Sequence, residues 1–149
     1  MSRLEIDENG NRRWFNQNNE LHRLNGPAIE YINGDKCWYL DGKRHRLNKP
    51  AVEFNNGDKY WYKNGLRHRL DGPACEFSNG DKEWFLNGLY HRVDGPAIEF
   101  SNGSKEWYKN GKLHRIEGPA IEWSDGIKSW FINGIEYNEE EYNVEINNI

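Results

Sequence analysis

The chain has 149 residues, a formal charge of −4, 30% charged residues and 14% aromatic residues, seven of them tryptophan. A mean hydropathy of −1.08 and a pI near 5.8 lean toward disorder and away from a sequence-independent hold on nucleic-acid backbones, which needs a basic face. Regularly placed large rings bury much area each, so they point instead to an ordered protein with a thin core. The sequence holds no apolar run of membrane-spanning length, and its start, "MSRLEIDENG", has no stretch of signal-peptide character.

In chain order, residues 1–20 read as a partial unit. There "NGNRRWFNQNNELHR" matches the later "NGDKCWYLDGKRHR" with one extra residue in Gln17-Asn18-Asn19. Five units of 23 residues follow, at 21–43, 44–66, 67–89, 90–112 and 113–135. All five histidines precede an arginine, and every proline and glycine belongs to the pattern. That leaves no room for a second domain, so 1–149 is one repeat domain.

Each unit carries Asn-Gly or Asp-Gly twice, as at Asn33-Gly34 and Asp41-Gly42. Between alternating residues this dipeptide predicts a two-residue hairpin turn. A turn at Asn33-Gly34 pairs Glu30 with Cys37 and Ile29 with Trp38. A turn at Asp41-Gly42 then pairs Trp38 with His45 and Cys37 with Arg46. Alternation assigns Ile29, Tyr31, Trp38 and Leu47 to a packed face. Glu30, position 37, Tyr39 and Arg46 fall on the opposite, solvated face. Residues 136–149 drop the repeat, and Asn138 with Glu141 forms a capping-box signature, so a short helix closes the array. The predicted fold is all-β: an elongated single-sheet array of antiparallel hairpins with a C-terminal capping helix.

The unit "WYKNGKLHRIEGPAIEW" and its four relatives resemble the MORN family of repeats, in the order aromatic, Asn-Gly, His and two further glycines around the next aromatic. The resemblance covers nearly the whole chain. It departs where Arg follows His and "DGPA" follows at once, a form similar to arrays in uncharacterised phage, large-DNA-virus and bacterial proteins. It implies a β array that works by contacts with proteins, with itself or sometimes with acidic lipids. An accessory or host-counteracting role in a host cytoplasm is the corresponding expectation.

The regular columns read first as architecture. The Arg column has a Glu column of equal regularity (Glu30, Glu53, Glu76, Glu99, Glu122), which predicts an Arg–Glu ladder. Every candidate acid and base recurs five times in equivalent settings, unlike the single asymmetric constellation that catalysis needs. The histidines lie one per unit, without the close spacing of zinc ligands. Neither an enzyme nor a metal or cofactor site is expected. Cys37 and Cys75 fall on opposite sheet faces in this register, so two free thiols and a reducing compartment, the cytosol, follow.

Partner recognition is expected where columns vary. Arg44, Tyr60, Arg67 and Tyr90 lie on the open face of the middle units in this register, and Tyr and Arg are frequent hot-spot types. A protein partner is therefore the leading expectation. The alternative is an acidic small molecule such as a nucleotide, held by Arg46, Arg69, Arg92, His68 and His91, since arginine offers a planar fork to phosphate. The leading edge of the first unit also invites edge pairing into a homodimer.

Overall fold

The computed structural model describes residues 2–148. Among them the chain forms an antiparallel sheet of thirteen strands, from Arg3–Ile6 at one edge to Ile135–Tyr137 at the other, with four two-stranded ribbons beside it. The expected all-β hairpin array is what the chain adopts. One short helix, α1 (Glu139–Ile146), follows the last hairpin.

The register within each hairpin differs from the expectation by one residue. Ile29 pairs with Cys37 and Glu30 with Lys36. The loop is not a two-residue turn: Tyr31 N–H donates to Asp35 O at 3.0 Å and Gly34 N–H to Tyr31 O at 3.0 Å. Only Gly34 is left-handed, at φ +97°, which is a type I turn followed by a left-handed glycine. Asn33 Oδ1 accepts the Asp35 N–H at 3.1 Å, and this local bond holds Asn33 out of the left-handed region.

A one-residue slip moves a strand's side chains to the other face. Cys37 is therefore buried with Ile29 and Val52, and Leu21, Tyr39, Tyr60 and Tyr62 pack on them. The next such cluster is Ala74, Cys75 and Phe85. Cys37 and Cys75 both lie in this core, not on opposite faces, and both are unpaired. Burial pushes the Cys75 thiol up to about 12.

The second turn follows the expectation. Asp41 and Gly42 are both left-handed, at φ +47° and +73°, and His45 N–H donates to Trp38 O at 3.1 Å. The turn joins the ribbon Tyr39–Leu40 to Lys43–Arg44. Beyond His45 the hairpin ends. Arg46 N–H turns instead to Tyr62 O of the next ribbon at 3.3 Å, beside Gly65 N–H to Arg44 O at 2.8 Å. Units are thus tied along two tracks, the long sheet and the row of ribbons, with the core clusters packing aromatic side chains of both.

Between neighbouring hairpin tips, Asp58 Oδ1 accepts Ser78 N–H and Asp81 Oδ1 accepts Ser101 N–H, each at 2.7 Å. These backbone bonds hold both carboxyls below their ordinary value. A carboxyl depressed in the folded state adds stability above its unfolded value and loses it as pH falls through the folded one. The melting temperature should therefore drop below about pH 4 as these two carboxyls take up protons. The drop should be smaller in Asp58→Asn/Asp81→Asn, which keeps the acceptors and removes the titration. A flat profile down to about pH 3 in the parent chain would contradict this account.

Asn138 caps α1 as expected: its side chain accepts Glu141 N–H at 2.9 Å while Glu141 Oε2 accepts Asn138 N–H at 3.2 Å. Buried Tyr142 anchors the helix, donating to Arg115 O at 3.1 Å and accepting Gly118 N–H at 3.0 Å.

Candidate binding surface

The His-Arg pairs are structural cement. Arg69 Cζ sits 4.0 Å from the centre of the Trp61 ring. Its Nη1 donates to Pro73 O at 3.1 Å and to Glu76 Oε1 at 2.7 Å. Arg46 and Arg92 repeat this on Trp38 and Trp84, at 3.7 and 3.9 Å, with Glu53 and Glu99. The ladder is present, but each arginine meets the glutamate seven residues on, within its own loop, because the loop folds back over the Trp. The glycine of "DGPA" belongs to the same packing: a Cβ on Gly72 would come within 3.0 Å of Arg69 Cζ.

Each histidine ends one ribbon and fastens it to the turn of the next. His68 Nδ1 accepts Asn87 N–H and His91 Nδ1 accepts Asn110 N–H, each at 3.2 Å. The accepting histidine and the left-handed turn residue lie 19 positions apart. Burial and then the charge of Lys109 pull His114, which accepts Asn133 N–H, below the ordinary imidazole value.

Of the variable columns, Tyr60, Arg67 and Tyr90 are half-buried and only Arg44 is exposed, so the open face assigned to them does not exist as such. The one-residue slip turns position 37 and its equivalents inward, and column 44 packs over the same core. Arg67 Cζ lies 5.4 Å from the Tyr60 ring centre and 5.2 Å from that of Phe85. Its Nη1 is 3.6 Å from Glu83 Oε2, near enough for Coulomb attraction but beyond a good hydrogen bond. Burial outweighs that attraction and raises the Glu83 carboxyl. Tyr90 stacks between Phe85 and Tyr108, with ring centres 4.2 and 5.1 Å away. Burial, then the Glu83 charge, pushes its hydroxyl up to about 12.

The open surface lies elsewhere. The residue after each His-Arg pair is aliphatic, namely Leu24, Leu47, Leu70, Val93 and Ile116. Leu47 was expected in the packed face, yet Leu47, Leu70 and Val93 are 71%, 82% and 89% exposed. Alternation cannot be extended past Arg46, where the chain leaves the hairpin. Clefts of about 580 and 550 Å³ lie between successive loops of this ridge. Trp84 and Trp107 line them, Leu70, Val93 and Ile116 form their shoulders, and Asp71, Asp94 and Glu117 stand at the rims. The sequence signal was present, an aliphatic in one column of every unit, but it is the same signal that a core column gives.

Among the described residues no group of three or more His, Cys, Asp or Glu side chains converges as metal ligands would. No helix there is long and apolar enough to cross a membrane. No protein-family model and no curated protein matches the chain.

Proposed function

We propose that the chain is a non-catalytic binding module that engages a macromolecular partner, a protein, through the aliphatic ridge Leu24–Leu47–Leu70–Val93–Ile116. The observation that carries this reading is the exposure of a large aliphatic side chain in every unit, beside clefts lined by tryptophan. Scattered apolar residues are ordinary on a surface, whereas an aligned set with polar rims is the composition of an interaction site. Consecutive units add two strands each, so the ridge repeats at roughly 10 Å, a spacing that an extended segment of a partner can follow. At the rims Asp71 and Asp94 pair with Arg69 and Arg92 at 2.9 and 3.2 Å, which leaves the apolar ridge as the main feature a partner would meet.

The reading with an acidic small ligand is the weaker one, because Arg46, Arg69 and Arg92 already have a ring, a carbonyl and a carboxylate each. The two unpaired cysteines fit a reducing compartment such as the cytosol. The phage- and virus-like form of the repeat supports an accessory role in that setting.

The test is site-specific photocrosslinking in the natural host cell. A crosslinking residue at Leu47, Leu70 or Val93 should capture the same polypeptide. The same residue at the hairpin tips Asn56, Asn79 or Asn102 should capture none of it. Capture from the tips and not from the ridge would move the binding face and overturn the proposal.

A further inference from the structure

The first strand, Arg3–Ile6, pairs on one side only, with Arg12–Phe15. Among the described residues nothing pairs with its outer side. The direction of its backbone groups follows from the next strand. Trp14 N–H donates to Ala28 O, and Trp14 O accepts His22 N–H, each at 2.9 Å. Trp14 therefore points away from the first strand, and Arg13 and Phe15 point toward it. Their partners Glu5 and Arg3 spend their backbone groups inward, which leaves the N–H and C=O of Leu4 and Ile6 directed outward. The strand is four residues long with charges at Arg3 and Glu5, and carries no proline or bulge, two of the devices that blunt an edge. Leu4 and Ile6 are 45% and 60% exposed.

We propose that this edge pairs with the same edge of a second copy, antiparallel, about a two-fold axis through Leu4. This surface is distinct from the aliphatic ridge, and the proposal does not rest on it. Outward groups must meet outward groups, so the axis can pass only through a residue, never between two. An axis through Arg3 sets Arg3 against Arg3, and one through Glu5 sets Glu5 against Glu5. An axis through Ile6 sets Glu5 against Asp7. With the axis through Leu4, Arg3 of each copy faces Glu5 of the other, Leu4 faces Leu4, and Ser2 faces Ile6. Directly opposite like charges destabilise a strand pair and opposite charges stabilise it, so charge selects this register over the other three.

Arg3 Nη1 and Glu5 Oε1 already touch within one copy at 2.5 Å, with both side chains more than half exposed. Arg3 Nη2 also donates to Asn19 Oδ1 at 2.7 Å; exposed contacts of this kind contribute little, so they can be exchanged for the pair across the axis. On the opposite face Leu4 and Ile6 of the two copies come together and lose water. The two-fold pairing closes on itself, whereas head-to-tail pairing of this edge with the Ile135–Tyr137 edge would not.

Sedimentation equilibrium on the full chain and its charge variants tests this. The parent chain should have twice the 17.7 kDa chain mass. Arg3→Glu and Glu5→Arg should each have the single-chain mass, since each sets like charges opposite. An equimolar mixture of the two variants should return to the doubled mass. In the mixed pair each new charge faces the new, opposite charge of the other copy, and the unchanged Glu5 of one copy faces the unchanged Arg3 of the other. A parent chain of single mass, a doubled mass that survives both substitutions, or a mixture that stays single would overturn the proposal.

Discussion

Arg69→Ala should lower the free energy of unfolding by about 2–4 kcal/mol, read from urea unfolding of the parent and variant. Two terms add. A hydrogen bond to a charged group contributes roughly 1.5–3 kcal/mol, and a guanidinium over a partly desolvated tryptophan about 0.5–2 kcal/mol. Arg69 has both, over Trp61 and toward Glu76, with only 20% of its side chain exposed. The variant also leaves the Pro73 carbonyl without its 3.1 Å donor. Glu76→Gln keeps an acceptor and the ring contact, so its effect should be smaller, about 1 kcal/mol. The pair and the double variant form a cycle that isolates the coupling. The same variant separates architecture from ligand binding. If Arg69→Ala left stability unchanged while abolishing a rise in melting temperature caused by acidic nucleotides, the arginine column would be a binding site and not cement.

Ala97→Leu should be at least as damaging, about 3 kcal/mol or more. Ala97 is fully buried, as are Ala28, Ala51, Ala74 and Ala120 in the same column. Its N–H donates to Glu106 O and its C=O accepts Trp84 N–H, each at 2.8 Å. The backbone is thus held from both sides and cannot retreat from a larger side chain. Overpacking a close-packed site costs roughly 1–3 kcal/mol even where neighbours yield. Here the site is fully buried and its backbone is pinned in place, so the upper end is expected. Ala97→Gly, which adds nothing to pack, should cost only about 1 kcal/mol through the unfolded chain and the lost methyl. A leucine tolerated at parental stability would mean that the column is not the close contact it is described as.

The local parts of the array are legible in the residues alone. The period of 23, the two-residue turn at Asp41-Gly42, the Trp38–His45 pairing and the capping box at Asn138 all rest on contacts within a short stretch, so residue type and spacing carry them. The Arg–Glu ladder was legible as a matched pair of columns, although not which glutamate each arginine takes.

The rest was settled by contacts between units, because identical local signals led to different outcomes. Asn33-Gly34 and Asn64-Gly65 are the same dipeptide. The first forms a three-residue loop in which the Asn33 side chain binds the backbone ahead of it. The second forms a two-residue turn whose Asn64 N–H is taken by His45 of the hairpin before, at 3.2 Å. That difference shifts the hairpin by one residue and with it which residues of the second strand share a face with the buried Ile29 column. Tyr60, Arg67 and Tyr90 turn toward the core and Cys37 becomes buried. The aliphatic column at Leu47 and Leu70 is left in water, because Arg46 N–H bonds to the next ribbon and ends the alternation there. A period-two pattern identifies a strand's two faces but not which of them a neighbouring unit will cover. In an array the neighbour makes that choice, through hydrogen bonds between residues 20 positions apart.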